Sequence, residues 1–194
     1  MVSKLKIVSF DPALSNFGIA LMTYDVELQS LKLEKLAIVQ TEVSHDKRVR
    51  KSSDDLERAR MLFRGMTDYC KDRVYAIAEV PFGAQSARAS MSNGIVVGVL
   101  AGCPIPLIQV SPSEVKMASV GIKTATKGEM IEWAMKKHPH KDWLMRKSKG
   151  EMVPMNDNEH LADAVAATYA GIKTDQFQQS LAWLRALPDR VSHD

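Results

Sequence analysis

Val74-Tyr75-Ala76-Ile77-Ala78-Glu79-Val80 is a short run in which Glu79 is the one charged residue. A segment apolar on both faces reads as a strand buried in the middle of a sheet, because a half-exposed strand alternates. A buried strand needs neighbours on both sides, and the chain upstream supplies them. Leu5 to Phe10 and Phe17 to Tyr24 are two further runs rich in β-formers, and Leu31 to Thr41 is a third that alternates in its first half. The turn-rich segments Asp11 to Asn16 and Asp25 to Ser30 separate them. Three strands with such short links form an antiparallel meander.

Between meander and buried strand lies a polar, basic loop, His45 to Ser53, and then a helix. Ser53, backed by Asp54, Asp55 and Glu57, marks its start, since acids suit a helix N-terminus. Leu56, Ala59, Phe63, Met66 and Cys70 follow at helical spacing to about Asp72, and the Leu56–Met66 stripe reads as core. Beyond the loop Pro81 to Gln85 comes a helix over Ser86 to Ala101, carrying Gly94 and Gly98 on one face, under a dimer partner or against the sheet. A fifth strand spans Pro106 to Val110. Ser113 caps a helix through Ala118 and Thr126 another through Lys137. His138 to Asp157 is polar and irregular, the pattern of a mobile loop. Helices over Asn158 to Ala170 and Phe177 to Leu187 complete the chain. The sum is an α/β fold, a five-stranded mixed sheet flanked by helices.

The 194 residues suit a single domain with a sizeable core. A net charge of +3, from 26 Lys and Arg against 23 Asp and Glu, is too mild to announce a nucleic-acid binder. Distribution says more: Lys136 to Lys149 holds six basic residues and one acid, and Lys47 to Lys51 four basic residues in five. Either run is a solvated face or a phosphate-binding surface; Trp143 inside the first is a core residue or a stacking platform. Cys70 and Cys103 lie far apart in sequence without metal-ligand spacing, and read as reduced thiols. No apolar run reaches the ~20 residues of a membrane span, and Asp11 interrupts the opening run where a signal peptide needs more apolar length. A cytoplasmic protein is expected.

Three carboxylates resist a structural explanation. Asp11 ends the first strand, Glu79 ends the fourth, and Asp163 interrupts the apolar helix Leu161-Ala162-Asp163-Ala164-Val165-Ala166-Ala167. Singly they read as a turn former, an ion-pair partner and a cap. Together, at the ends or interior of core elements, they are costly unless paired or bound to a metal. Strand ends converge in open α/β sheets, and oxygen ligands of this kind suit Mg²⁺ or Mn²⁺. Two such ions about 3.5–4 Å apart can promote phosphodiester cleavage. His160 lies one turn before Asp163 and Glu159 four residues before it, so either can share its helix face.

These residues resemble the RuvC-type Holliday junction resolvases of the RNase H-like superfamily. Ile7-Val8-Ser9-Phe10-Asp11-Pro12 with Gly18 is similar to that family's opening motif, and Glu79 followed by Phe82 to its second acid and nearby aromatic. Val115-Lys116 through Gly121 to Lys127 resembles the next block, and His160-Leu161-Ala162-Asp163-Ala164 the last. The match runs from about Lys4 to Ala170, leaving 171–194 as a C-terminal helical extension. The resemblance implies that Asp11, Glu79, His160 and Asp163 hold Mg²⁺, with Mn²⁺ able to substitute, as two ions. It implies that Lys116 and Lys127 contact DNA near the scissile phosphate and that Phe82 stacks on an unpaired base. It implies a homodimer making paired nicks in a four-way junction. Ala13 stands where the family has glycine, and the insert His138 to Asp157 is long, the marks of a divergent, bacteriophage-type member. A non-catalytic branched-DNA-binding protein and a nuclease acting on RNA–DNA hybrids are the competing readings.

Overall fold

A computed structural model describes residues 3–186 of the chain. Strands β1 (Lys4–Asp11), β2 (Asn16–Asp25) and β3 (Ser30–Gln40) form the antiparallel meander. β4 (Tyr75–Glu79) and β5 (Leu107–Val110) add in parallel on the other side of β1, giving the order β3-β2-β1-β4-β5. This is the mixed five-stranded sheet expected, with β1 at its centre and β4 between two strands.

Helices cover both faces. α1 (Lys51–Cys70) and α2 (Ala87–Ala101) pack on one side. α3 (Pro112–Ser119), α4 (Lys127–Lys137), α5 (Asn158–Gly171) and α6 (Asp175–Ala186) lie on the other. Strand alternation divides the core accordingly: Val8 and Phe10 join Leu62, Met66 and Val99 under α1 and α2, whereas Leu5 and Ile7 join Leu161, Val165 and Phe177 opposite. The α6 extension is part of this second core, with Phe177 fully buried edge-on against Tyr24 and Tyr75. Leu187, the expected end of that helix, lies outside the described residues. Among the described residues, no helix is long and apolar enough to cross a membrane.

Several boundaries differ from the sequence reading. α1 begins at Lys51, ahead of Ser53, and its first residue follows Arg50 without a side-chain cap. Its buried face is Asp55, Arg58, Leu62, Met66 and Cys70, so the C-terminal half of the expected stripe, Met66 and Cys70, is core, Ala59 is partly buried, and Leu56 and Phe63 are exposed. The cause is a buried ionic network: Arg88 pairs through both guanidinium ends with Asp55, while Arg58 donates to Thr41 Oγ1 and Ser15 Oγ. Ser111, not Ser113, caps α3, because Glu114 can then close a capping box with it. Thr126 and Glu129 form the same box on α4.

The expected loop 138–157 contains a hairpin, β6 (Met145–Ser148) and β7 (Glu151–Pro154). Trp143 is buried and donates from its indole N–H to the His138 carbonyl, which makes it a core residue. The two cysteines are neighbours in space, their Sγ atoms 3.8 Å apart, although 33 positions separate them. Gly94 and Gly98 meet no packed atoms where a side chain would begin, so close packing on the sheet does not explain them.

Candidate active site

Strand parity builds the site. In β1 the alternation that points Leu5, Ile7 and Ser9 at α5 also points Asp11 there; in β4 the same alternation carries Glu79 to the face of Ile77. The parallel register pairs Phe10 with Ala78, so Asp11 and Glu79 end adjacent strands at one edge of the sheet. α5 lies across that edge and brings His160 and Asp163.

Two features set α5 this close. Ser9 Oγ, buried, donates to the Ala164 carbonyl at 2.6 Å and accepts from Thr168 Oγ1 at 2.7 Å, pinning the helix to β1. Gly18, paired with Asp11 across β1 and β2, leaves room for the helix backbone; a Cβ there would run into the His160 carbonyl. The glycine is thus needed for an approach between elements.

His160 Nδ1 meets Asp11 Oδ2 at 2.7 Å. Glu159 takes a different partner, Lys127 Nζ at 2.8 Å, and lies 3.5 Å from His160 Nε2. Of the two candidates on the first turn of α5, His160 is therefore the one directed at Asp11. The acids crowd one another. Burial foremost, then the charges of Asp11 and Glu79, push Asp163 up to about 7. Burial and Asp11 push Glu79 up to about 7, against the pull of Lys116. Asp11 itself is raised by burial, in spite of its bond to His160. Burial works to lower the His160 pKa, but the hydrogen bond and charge of Asp11, with Glu159 and Asp163, carry it above its usual value.

As the side chains stand, no three His, Cys, Asp or Glu groups among the described residues converge tightly enough to enclose an ion. Like-charge repulsion opposes tighter convergence, and His160 occupies one oxygen of Asp11. The chemistry of the donor set nevertheless suits a hard cation: two carboxylates at the ends of adjacent parallel strands and a third on α5, all destabilised as anions, by burial foremost.

Around the acids lie the other residues singled out from sequence. Lys116, on α3, acts electrostatically on Glu79, and Lys127, the first residue of α4, reaches Glu159. Phe82 is 96% exposed on the loop after β4, beside Gly83, whose carbonyl Asn93 holds at 2.8 Å. A groove of about 470 Å³ opens beside His160, between the 12–16 turn and Arg88, Ser92 and Asn93 of α2.

No protein-family model and no curated protein matches the sequence. Solved structures do match the fold. Thermus thermophilus RuvC is similar over 92% of this chain and 97% of its own, at 17% identity and a TM-score of 0.62. The fold is that of RuvC-type resolvases. The same RuvC in complex with a Holliday junction substrate matches 86% of this chain and 92% of its own, at 18% identity and a TM-score of 0.62. The fowlpox virus Holliday junction resolvase covers 94% of this chain at 15% identity and a TM-score of 0.49. In this RuvC-type fold the buried partners that align the acids, Ser9 and Thr168, went unmarked in the sequence reading. Small hydroxyls in apolar runs carry no distinctive signal until the two elements meet.

Proposed function

We propose that the chain is a divalent-metal-dependent endonuclease that resolves four-way DNA junctions by paired nicks as a homodimer. The observation that carries this is the meeting of Asp11, Glu79 and Asp163 with His160 at one edge of a RuvC-type sheet, with Lys116 and Lys127 at its margin. Asp11, Glu79, Asp163 and His160 would hold Mg²⁺ or Mn²⁺, as two ions. Such ions supply charge neutralisation at the phosphate and activation of the attacking water.

The chain's own residues do the rest. Glu79 and Asp163, pushed up to about 7, would release their protons to solvent readily when a cation binds near neutral pH. His160 holds Asp11 through Nδ1 and keeps its carboxylate aimed into the site. Lys116 and Lys127 take the flanking phosphate oxygens, and Glu159 keeps Lys127 oriented toward the site. Phe82, held out on its loop, stacks on a base unpaired at the branch.

Dimerisation is supported by the outer face of α1 and α2. Leu56, Phe63 and Met91 are exposed there, around a groove of about 510 Å³ that Gly94 and Gly98 keep open. A second copy on this face would relate two sites by a two-fold axis, as a junction with two equivalent strands requires.

The test offers a labelled four-way junction, the matching linear duplex and an RNA–DNA hybrid side by side, with Mg²⁺, Mn²⁺ or EDTA. Paired, metal-dependent nicks in the junction alone support the proposal. Preferred cutting of the hybrid, or junction binding without cutting, overturns it.

A further inference from the structure

The hairpin β6–β7 is rooted at the first turn of α5, which carries His160, and its surface chemistry is unused by the site described so far. Lys149 and Gly150 both have positive φ, 50° and 91°, which makes the two-residue turn that joins strands with native twist. Ser148 then pairs with Glu151, Lys147 with Met152, Arg146 with Val153 and Met145 with Pro154. Both strands are largely solvent-exposed, and Arg146, Lys147 and Lys149 are all exposed. Among the described residues none of the three is in an ion pair, in contrast to Arg58, Arg73 and Arg88 elsewhere.

The base of the hairpin is fixed firmly. Asn158, fully buried, accepts from the Leu144 N–H at 2.9 Å and donates to the Leu144 carbonyl at 2.8 Å, while the Met155 N–H also reaches that carbonyl at 2.9 Å. Asn158 is the first residue of α5, one position before Glu159 and two before His160. Pro154, at the end of β7, borders a groove with Gly128 and Glu132 near the start of α4, where Lys127 lies. A two-stranded hairpin has little stability of its own, so the double hydrogen bond of a buried amide is what holds it to the catalytic helix.

We infer that this hairpin is a DNA-binding wing, in which Arg146, Lys147 and Lys149 grip the backbone of a duplex arm entering the junction. This rests on the function proposed above. Charge complementarity identifies the occupant: three unpaired cations on an exposed ribbon suit a polyanion. Four strand residues and the turn reach about 15 Å from the base. At one charge per about 1.7 Å of duplex axis, a ribbon of that length can meet several phosphates.

The test measures binding of a four-way junction, in EDTA, as a function of KCl by wild type and by R146A/K147A/K149A. Three phosphate contacts contribute a slope of about 2.7 in log K against log salt, so between 50 and 200 mM KCl wild type should lose about 40-fold more affinity than the variant. R146K/K147R/K149R should keep the wild-type slope, and both variants the wild-type melting temperature. Lys149→Ala alone, at the tip, should reduce the slope by about 0.9 and guards against misfolding of the triple variant. Equal slopes for wild type and the triple alanine variant overturn the wing and leave the nuclease reading intact. Failure of wild type to bind the junction overturns both.

Discussion

Replacing Asp163 by Asn should stabilise the metal-free protein while removing a proposed ligand. Asp163 lies in an apolar helix, its pKa raised by burial and by the charges of Asp11 and Glu79. A carboxyl whose folded-state pKa exceeds its unfolded value binds more protons when folded, so it lowers stability as pH rises through that window. For Asp163 the window runs from 3.8 to about 7. At about 1.36 kcal/mol per pH unit the full penalty above the window is about 4 kcal/mol. Part is shared with Asp11 and Glu79, which titrate together with it, so about 2–4 kcal/mol is expected on replacement by the isosteric, non-titrating amide. Urea unfolding in EDTA should show the variant more stable by that amount at pH 8 and by almost nothing at pH 4. Saturating Mg²⁺ should reverse the order at pH 8, because only wild type gains a tightly held cation. Equal stabilities at pH 8, or the same gain at pH 4, would refute the claim that burial and the neighbouring acids destabilise the Asp163 anion.

Other consequences follow from single residues. Gly18→Ala places a methyl against the His160 carbonyl and should cost about 1–3 kcal/mol in chemical unfolding, with cleavage reduced more steeply because α5 must retreat from Asp11. Unchanged stability would mean the approach of α5 to β2 is looser than described. Phe82→Ala, at a position 96% exposed, should leave the melting temperature within the range of a neutral surface change, about 0.5 kcal/mol, while lowering junction cleavage at least tenfold. Phe63→Glu puts a charge in the apolar groove of α1 and α2, and sedimentation should show a monomer where wild type is a dimer. A wild-type monomer, or a dimer in the variant, would exclude that face.

Much of this was legible in the sequence. The two-sided apolar run at Glu79 and the meander before it fix the sheet, because burial on both faces and alternation leave few other arrangements. Asp11, Glu79 and Asp163 stood out for a related reason: an acid in an apolar run has no inexpensive structural role. What stayed hidden depended on partners distant in the chain. Part of the α1 face was missed because only apolar residues were counted toward it and Asp55 was read as an N-terminal acid, whereas Asp55 and Arg58 are buried and satisfied by Arg88, Ser15 and Thr41. The hairpin was hidden by four-residue strands and a Lys-Gly turn in place of the stronger Asn-Gly signal. Which of Glu159 and His160 faces Asp11 depends on Lys127, 32 positions from Glu159, which takes up the glutamate.

The central claim, that Asp11 organises a metal-dependent cutting site, is tested most directly by Asp11→Asn. Wild type and variant are incubated with a labelled four-way junction over a Mg²⁺ titration, with binding followed in parallel. Paired nicks by wild type that rise with Mg²⁺, and a variant that binds the junction equally well but cuts at least a thousandfold more slowly, are the predicted results. Undiminished cutting by the variant would contradict the account, and the nuclease site would have to lie elsewhere on the molecule.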